Sequence, residues 1–389
     1  MLAPRCHHRI ESGEIVDRRT FISHAGMALA LGYPLTASSF PLSVFEAELS
    51  DRDKQSGRRL PGKHKHCNPV IKMIGVGGFG CKAVNEMPDK SITGMDYICV
   101  DNDRGVLKCN QAENSLNLNG LAGTRHCVNL GARAMPQISR NAATEARGRL
   151  AAMLQGADVL FIAVGMGGGT GSGAAPVIAE IARDMGVLTV AFVTTPFAFE
   201  GYRNELAEAG IESLKPHADS LMILPNDRLL GKLGVGASLM DAFMTSTEFF
   251  NLAISEVADA IKSPGIVSVY FDDLYTMMRD SGIAMSASAW ANGTDRAHVA
   301  AAKAAESLLS NDACLASARG VLVNVATNGS LTLSEVLQAV RVIRSRVGRD
   351  ATVIYGSAHH NYGDNRLVVR ILATGLPDAA ASIDTRQLA

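Results

Sequence analysis

The sequence predicts an α/β fold: a parallel sheet flanked by helices, then a long helix, then a second, smaller α/β domain. Three observations carry this. Two glycine-rich stretches each follow a short apolar run and precede apolar residues at helical spacing. A helical period of apolar residues runs without a break through the middle of the chain. Beyond it, short β-rich runs alternate with helical ones.

The first domain, 69–237, opens with "PVIKMIGVGGFGCKAVNEM", Pro69–Met87. Val70–Ile74 reads as a strand and Lys82–Met87 as the start of a helix. Between them Gly75, Gly77 and Gly80 fit G-x-G-x-x-G. "DYICVDND" follows as a second strand with Asp101 at its end. A glycine loop and then an acidic residue about twenty positions on is the dinucleotide fingerprint. Taken alone, this segment reads as a nicotinamide-dependent oxidoreductase.

"GMGGGTGSG", Gly165–Gly173, is the second glycine stretch. Glycine loses more conformational freedom on folding than any other residue, so an ordered loop of this kind serves a close backbone approach. Val159–Val164 before it reads as a buried strand. After it, Val177, Ile178, Ile181, Ala182 and Met185 recur at helical spacing, with Pro176 expected in the first turn. "LTVAFVTT" then reads as another buried strand. A flexible linker would lack such flanks. The unit reads as a phosphate cradle: unpaired N–H groups at a helix start favour an anion, and the hydroxyls of Thr170 and Ser172 can add hydrogen bonds. A dinucleotide site needs one such loop for its pyrophosphate. Two on one edge of a sheet would grip one polyphosphate from two sides, which suits a nucleoside triphosphate better than NAD. No G-x-x-x-x-G-K-[ST] occurs, so this is not the usual P-loop.

The long helix, 238–263, is read from "SLMDAFMTSTEFFNLAISEVADAIKSPG", with apolar residues at 239, 243, 250, 254, 257 and 261. Ser238 with Asp241 predicts a capping box, and Ser263-Pro264-Gly265 ends the helix. In the second domain, 264–376, "RGVLVNVAT", "ATVIYGS" and "RLVVRILATG" read as strands. Asp295–Leu309 and Leu333–Val347 read as helices, and 377–389 is a short tail.

Composition sets bounds. The chain has 389 residues, 47% of them hydrophobic, enough for two domains with full cores. Lys+Arg number 37 against Asp+Glu 38, which argues against a nucleic-acid binder working through a broad basic face. Seven scattered cysteines suit a reducing cytosol better than a disulfide framework, so a cytoplasmic location is expected. No apolar run approaches a membrane span. "KHKHC", Lys63–Cys67, has no partner cluster and reads as a polar linker rather than a metal site; no protein metal site is expected elsewhere. Asp17–Ser39 has twin arginines, an apolar stretch and small residues, and resembles a twin-arginine export signal. The preferred reading is a poorly ordered extension, or a start placed too far upstream, because a nucleotide-binding core outside the cytosol would lack nucleotide. Residues 1–68 are therefore set apart from the fold.

"IKMIGVGGFG", "GMGGGTGSGAAPVIAEIA", "PFAFEG", "PNDRLL" and "SLMDAF" occur in the order found in FtsZ, the bacterial relative of tubulin. The chain resembles that family from Val70 to Leu376. The resemblance implies the tubulin/FtsZ fold: a Rossmann-like GTPase domain with a parallel sheet, a long central helix and a smaller α/β C-terminal domain. It implies GTP as ligand, Mg²⁺ with it, and head-to-tail filaments. It places phosphates on Gly167, Gly168, Gly169, Thr170, Gly171, Ser172 and Gly173, and on Gly77, Gly78, Phe79 and Gly80. Asn226 and Phe243 fall at the nucleoside end, although Phe243 on its spacing reads equally as a core residue. Glu200 falls at the ribose.

Departures from the family pattern bear on activity. Phe79 stands where the family usually has glycine, and Lys82 where it has asparagine. Thr247 takes the place of the Asp or Asn that reads guanine; a carboxylate accepts from both guanine N–H groups and threonine does not, while Glu248 lies next to it. Asn204 replaces an arginine, with Arg203 adjacent. Arg133 replaces a glycine beside the γ-phosphate, where it would either donate to phosphate or block the site. Asp103 would place Mg²⁺ through water, or serve as a turn former. The catalytic loop, roughly N-x-D-F-A-D in the family, is "SVYFDD" here: Ser268 for the asparagine, Tyr270 for the first aspartate, and Asp272 and Asp273 remaining. That loop completes the neighbouring subunit's site, so slow hydrolysis is expected. The tail after Leu376 is too short for the family's linker and membrane-adaptor peptide, so no direct membrane binding is expected. Self-association comes first among partners, with FtsZ a second. Against the GTPase stand a non-hydrolysing structural or filament-capping homologue and, less favoured, the NAD oxidoreductase.

Overall fold

Strand β1 (Ile71–Val76) buries apolar residues on both faces, as a strand covered by helices on either side must, with Lys72 its one charged residue. It leads directly into α1 (Gly77–Asn85), then β2 (Met95–Asp101), a short α2 (Arg104–Lys108) and β3 (Asn114–Asn117). Helices α3 (Pro136–Glu145) and α4 (Arg147–Leu154) precede β4 (Val159–Gly165), α5 (Gly169–Asp184) and β5 (Leu188–Thr195). A single 3₁₀ turn at Ala198–Glu200 opens α6 (Tyr202–Leu214), which returns to β6 (Ser220–Pro225). The long helix α7 (Leu239–Lys262) follows, then α8 (Phe271–Met278), β7 (Gly282–Ala291), α9 (Arg296–Leu308), β8 (Gly320–Thr327), α10 (Leu333–Arg344), β9 (Thr352–His359) and β10 (Leu367–Leu376). This computed structural model describes residues 69–87, 95–108, 112, 114–118, 135–227, 238–262, 269–308, 315–328, 331–359 and 365–377.

The strands form one sheet in the order β3-β2-β1-β4-β5-β6-β7-β10-β8-β9. From β3 to β7 every pairing is parallel; β10 runs antiparallel to both β7 and β8, and β9 is parallel to β8. The order 3-2-1-4-5-6 is the doubly wound one, and it reverses between β1 and β4. Alternate residues separate two cores. Leu160, Ile162 and Val164 of β4 pack under α3, α4, α5 and α6, in a layer continued by α9 and α10. Val159, Phe161 and Ala163 face α1, α7 and α8.

Several expected boundaries move, for identifiable reasons. The first strand runs to Val76, and its helix starts inside the glycine turn at Gly77 rather than at Lys82. Likewise α5 starts at Gly169, so Pro176 is an interior residue of the helix and not a first-turn one. Glycine makes that early start sterically possible: a Cβ on Gly171 would strike the Gly165 carbonyl oxygen, and one on Gly173 would strike that of Pro136. The Ser238–Asp241 box forms, with Asp241 N–H donating to Ser238 Oγ at 3.1 Å and Ser238 N–H to Asp241 Oδ2 at 3.0 Å. In the far half, Arg296 is buried between α9 and α10. It donates through Nε to Glu335 at 2.6 Å and through Nη1 to the carbonyl and side-chain oxygens of Asn365, at 2.7 and 2.8 Å. Glu335 also closes a capping box with Thr332. Partial burial pushes its carboxyl up, but the Arg296 guanidinium and the Thr332 donors outweigh that and hold it below the usual range.

Candidate functional site

The crevice outside the C-terminal ends of β1 and β4 is where an open α/β sheet takes its ligand. Both glycine turns lie there and touch. A Cβ on Gly77 would sit 3.1 Å from the Gly171 nitrogen and 3.4 Å from Thr170 Cβ. The glycines divide by role. Gly77 (φ +75°) and Gly167 (φ +89°) need the left-handed region. Gly80, Gly171 and Gly173 are dictated by close packing: a Cβ on Gly80 would strike the Ala163 carbonyl oxygen. Gly78 and Gly168 have neither reason, because a Cβ on either would meet nothing within 4 Å. These two open positions lie at the starts of α1 and α5. The first-turn N–H groups of Gly77, Gly78 and Phe79, and of Gly169, Thr170 and Gly171, have no i−4 partner inside their helices. Each helix start also carries roughly half a positive charge.

The hydroxyls in the second turn serve the turn itself. Thr170 Oγ1 donates to Asp101 Oδ1 at 3.1 Å, and Ser172 Oγ accepts from Gly167 N–H at 2.9 Å. Asp101 is 3% exposed and also accepts from Asp103 N–H at 3.1 Å. Burial pushes its carboxyl up, more than these donors pull it down. Asp101 thus ties the end of β2 to α5. Asp103 takes the Gly105 N–H at 2.7 Å, which is the turn-forming arrangement. The Phe79 ring stands edge-on to Phe250 of α7, with centroids 5.1 Å apart, and the same side chain lies against Gly165, where an added Cβ would come within 2.8 Å of Phe79 Cβ and 3.1 Å of its Cγ. Lys82 makes an exposed i,i+4 contact with Glu86 at 3.7 Å, an interaction weak enough to exchange for a ligand.

A second group gathers where β5, the 3₁₀ turn and α7 meet. Asn226 is buried, and its Oδ1 accepts from Thr194 Oγ1 and Ser246 Oγ, each at 2.6 Å. That arrangement fixes the amide flip and leaves Nδ2 as its donor end. Phe197 packs edge-on to Phe243 at 5.5 Å and stacks on Phe199 at 5.2 Å. Glu200 accepts from Phe197 N–H at 3.0 Å and from Arg203 Nη1 at 2.9 Å, while Asn204 Nδ2 donates to the Phe197 carbonyl at 3.2 Å. Thr247 is 1% exposed, and its hydroxyl donates back to the Phe243 carbonyl at 3.0 Å, so it presents nothing outward; Glu248 beside it is exposed. Arg133 and Ser268 lie outside the described residues.

Asp272 and Asp273 are not in a loop. They occupy the first turn of α8, with Tyr270, 73% exposed, at its N-cap and making no side-chain cap. Helix α8 leads into β7, whose Gly282 pairs with Ser220 at the N-terminal end of β6. The C-terminal end of α8 therefore feeds the sheet edge opposite the glycine turns. Sequence reasoning overlooked Thr194, Ser246 and Asp227, which accepts the Ala198 N–H at 3.0 Å. Asp227 stood in the quoted "PNDRLL"; the two hydroxyls carry no signal outside their three-dimensional setting.

Known proteins resemble this chain over most of its length. The Tubulin/FtsZ family GTPase domain matches residues 70–234, and the FtsZ family C-terminal domain matches residues 282–377. The chain is 41% identical over 315 residues to the cell division protein FtsZ of Neisseria meningitidis serogroup B strain MC58, covering 80% of this chain and 79% of that one. With FtsZ of Azotobacter vinelandii it is 43% identical over 308 residues, covering 79% and 77%. Among solved structures, an empty FtsZ dimer from M. jannaschii superposes with a TM-score of 0.71 at 32% identity, covering 84% of this chain and 92% of that one. CetZ2 from Haloferax volcanii, in a GTPgS-bound protofilament, shares the fold with a TM-score of 0.66 at 20% identity, covering 79% and 93%. The doubly wound sheet, the paired glycine turns and the extent of these matches place the chain in the tubulin/FtsZ family, among its FtsZ members.

Proposed function

We propose that this chain binds GTP between its two glycine turns, assembles head to tail with copies of itself, and hydrolyses GTP slowly where subunits meet. One observation carries the reading: two helix N-termini converge at Gly77 and Gly171, with Gly78 and Gly168 facing open space. Each helix start favours an anion by about 0.3–2 kcal/mol, and the first-turn N–H groups add hydrogen bonds to phosphate. Asn226 and Phe243 would meet the nucleoside, and Glu200 the ribose. Thr247 offers no acceptor to guanine, so base reading would fall to Asn226 or to Glu248 after a shift of the base. Among the described residues no group of three or more His, Cys, Asp and Glu could hold a metal ion. Mg²⁺ would therefore be held mainly by phosphate oxygens and water, with Asp103 as the nearest contributor, and would offset the charge of the phosphates.

In hydrolysis, water attacks the γ-phosphorus, and the bond to the β–γ bridging oxygen breaks, giving GDP and phosphate. Asp272 and Asp273 of one subunit would polarise that water at the next subunit's nucleotide. The handover of α8 to β7 at the opposite sheet edge fits a site completed across a joint. Tyr270 offers no carboxylate at the head of this helix, and loss of one positioned acid–base group slows such chemistry by about 10²–10⁴. That same residue favours a second reading, a homologue that binds GTP as structural glue without turning it over. No helix among the described residues is long and apolar enough to cross a membrane. The proposed setting is the cytoplasm, in cell division or the cytoskeleton, with FtsZ itself a second proposed partner. Identifying the nucleotide that co-purifies, then following phosphate release and light scattering together, tests this. Bound GTP with slow release that tracks assembly supports the enzyme; intact GTP in filaments supports the scaffold; co-purifying NAD removes both.

A further inference from the structure

We propose that the Arg183–Asp280 ion pair is a positioning device: it holds α8, and with it Asp272 and Asp273, in fixed register with the phosphate end of α5. The inference rests on the reading that these carboxylates serve hydrolysis. Helix α5 starts at the second glycine turn and runs 16 residues, about 24 Å, across the sheet to Asp184. In its last turn Arg183 Nη2 donates to Asp280 Oδ1 at 2.8 Å. The far end of α5 is itself fixed, since Arg147 of α4 bonds Glu180 at 3.3 Å and Asp184 at 2.5 Å.

Asp280 lies two residues beyond α8. Among the described residues it is the one non-glycine with positive φ, at +48°. A left-handed residue other than glycine is strained by roughly 1–2 kcal/mol and persists where its surroundings hold it. The surroundings here are specific. Asp280 N–H points at Oδ1 of the buried Asp219 at 3.4 Å, and Asp219 Oδ2 accepts the Thr189 N–H at 2.9 Å. The Asp219 carbonyl accepts from Ser281 N–H at 2.8 Å and Gly282 N–H at 3.0 Å. Ser220 Oγ donates to the Met278 carbonyl at 2.8 Å. The corner where α8 turns into β7 is thus tied to the starts of β5 and β6 by neutral donors and to α5 by the partly exposed Arg183–Asp280 pair, with Arg279 Nε also 3.9 Å from Asp280 Oδ2 and Arg183 near enough to act on the Asp219 carboxylate. Within this set it is Arg183, paired with Asp280 and acting on Asp219, that reaches the helix beginning at the second glycine turn. A change in how α5 sits on nucleotide reaches α8 through it.

The test uses Arg183→Gln, Arg183→Lys and Asp280→Asn in the full chain. Asparagine tolerates the left-handed conformation, so the last variant removes charge without adding backbone strain. The expected result for Gln and Asn is a kcat lower by about 10- to 100-fold, the scale of a small misplacement, with KM for GTP near wild type. Hydrogen exchange should rise over 271–282 and not over the core strands. Lysine should restore most of kcat. Exchange is readable whether or not the chain turns GTP over. A wild-type chain that never releases phosphate therefore sinks the hydrolytic reading, while the pair is judged on exchange alone. Unchanged exchange over 271–282, a uniform rise with a lowered melting temperature, or a full kcat in a hydrolysing Arg183→Gln chain would each overturn the proposal.

Discussion

Replacing Gly78 by alanine separates what the glycine turns owe to folding from what they owe to ligand. At Gly78 the added Cβ meets nothing within 4 Å, and the residue is the second of α1. Alanine is the better helix former by about 0.5–1 kcal/mol, so without nucleotide Gly78→Ala should melt at or slightly above wild type. Gly168→Ala also meets open space, but alanine is a poorer N-cap than glycine, and the substitution should cost up to about 1 kcal/mol. Gly173→Ala is the contrast: its Cβ would overlap the Pro136 carbonyl oxygen, so α3 and α5 must separate or the chain fails to fold. If phosphate oxygens occupy the open space, a methyl at Gly78 displaces them from N–H donors. One lost hydrogen bond to a charged group is worth about 1.5–3 kcal/mol, or roughly 10- to 100-fold in Kd at 1.4 kcal/mol per decade. Titration with a fluorescent GTP analogue, paired with thermal unfolding of the nucleotide-free chain, measures both quantities. An unchanged Kd in a stably folded Gly78→Ala chain would refute the placement of the ligand.

Three further outcomes follow from the same geometry. Tyr270→Asp supplies a missing N-cap, worth about 1 kcal/mol to α8, and a carboxylate where Tyr270 has none; steady-state phosphate release should rise, and an unchanged rate would show that Tyr270 does not limit it. Arg296→Ala strands Glu335 and the Asn365 oxygens and should cost about 3 kcal/mol in chemical denaturation, toward the lower end for a broken buried pair because Glu335 retains some exposure. Since Glu335 sits below the usual range, its contribution is present above the ordinary glutamate pKa and is lost as pH falls; Arg296→Ala should therefore lose less stability on acidification than wild type does. Glu256, buried in α7, behaves oppositely: burial pushes its carboxyl up against the pull of Ser288 and Arg370. Its stabilising effect is full below the ordinary pKa and fades as pH rises through the raised one. Glu256→Gln should flatten that part of the stability–pH curve, and an unaltered slope would refute this.

The elements legible in the sequence were those with a strong local period. Strand β4 is a continuous apolar run, β1, β2 and β5 are largely apolar, and α7 carries its stripe for 24 residues. Strand β7, "GIAMSASAWA", escaped because alanine and serine say little about strands; it exists because β6 and β10 pair with it on either side. Pro176 misled, because a proline near a helix start is the rule. Here the helix had already begun in the glycines. At the site, both glycine turns were readable, and their meeting was expected if both lay on one sheet edge, a condition met because β1 and β4 are neighbours in space. Thr170 and Ser172 were legible as hydroxyls near phosphate, yet their observed partners, Asp101 and the Gly167 N–H, show them shaping the turn. No sequence pattern announces that the end of β2 will supply the acceptor.

The two sheet edges impose the logic of assembly. A parallel strand has chemically different ends, and all the strands from β3 to β7 point the same way. Glycine turns collect where those strands finish; α8 hands over to β7 where they begin. If the acid pair serves hydrolysis, as proposed, it would act on a nucleotide held by another subunit. Stacking subunits end to end would allow that, and such a contact is heterologous, so it repeats along a line instead of closing as a symmetric pair. On the proposed reading, the geometry that separates binding from catalysis within a subunit is the geometry by which a filament would bring them together.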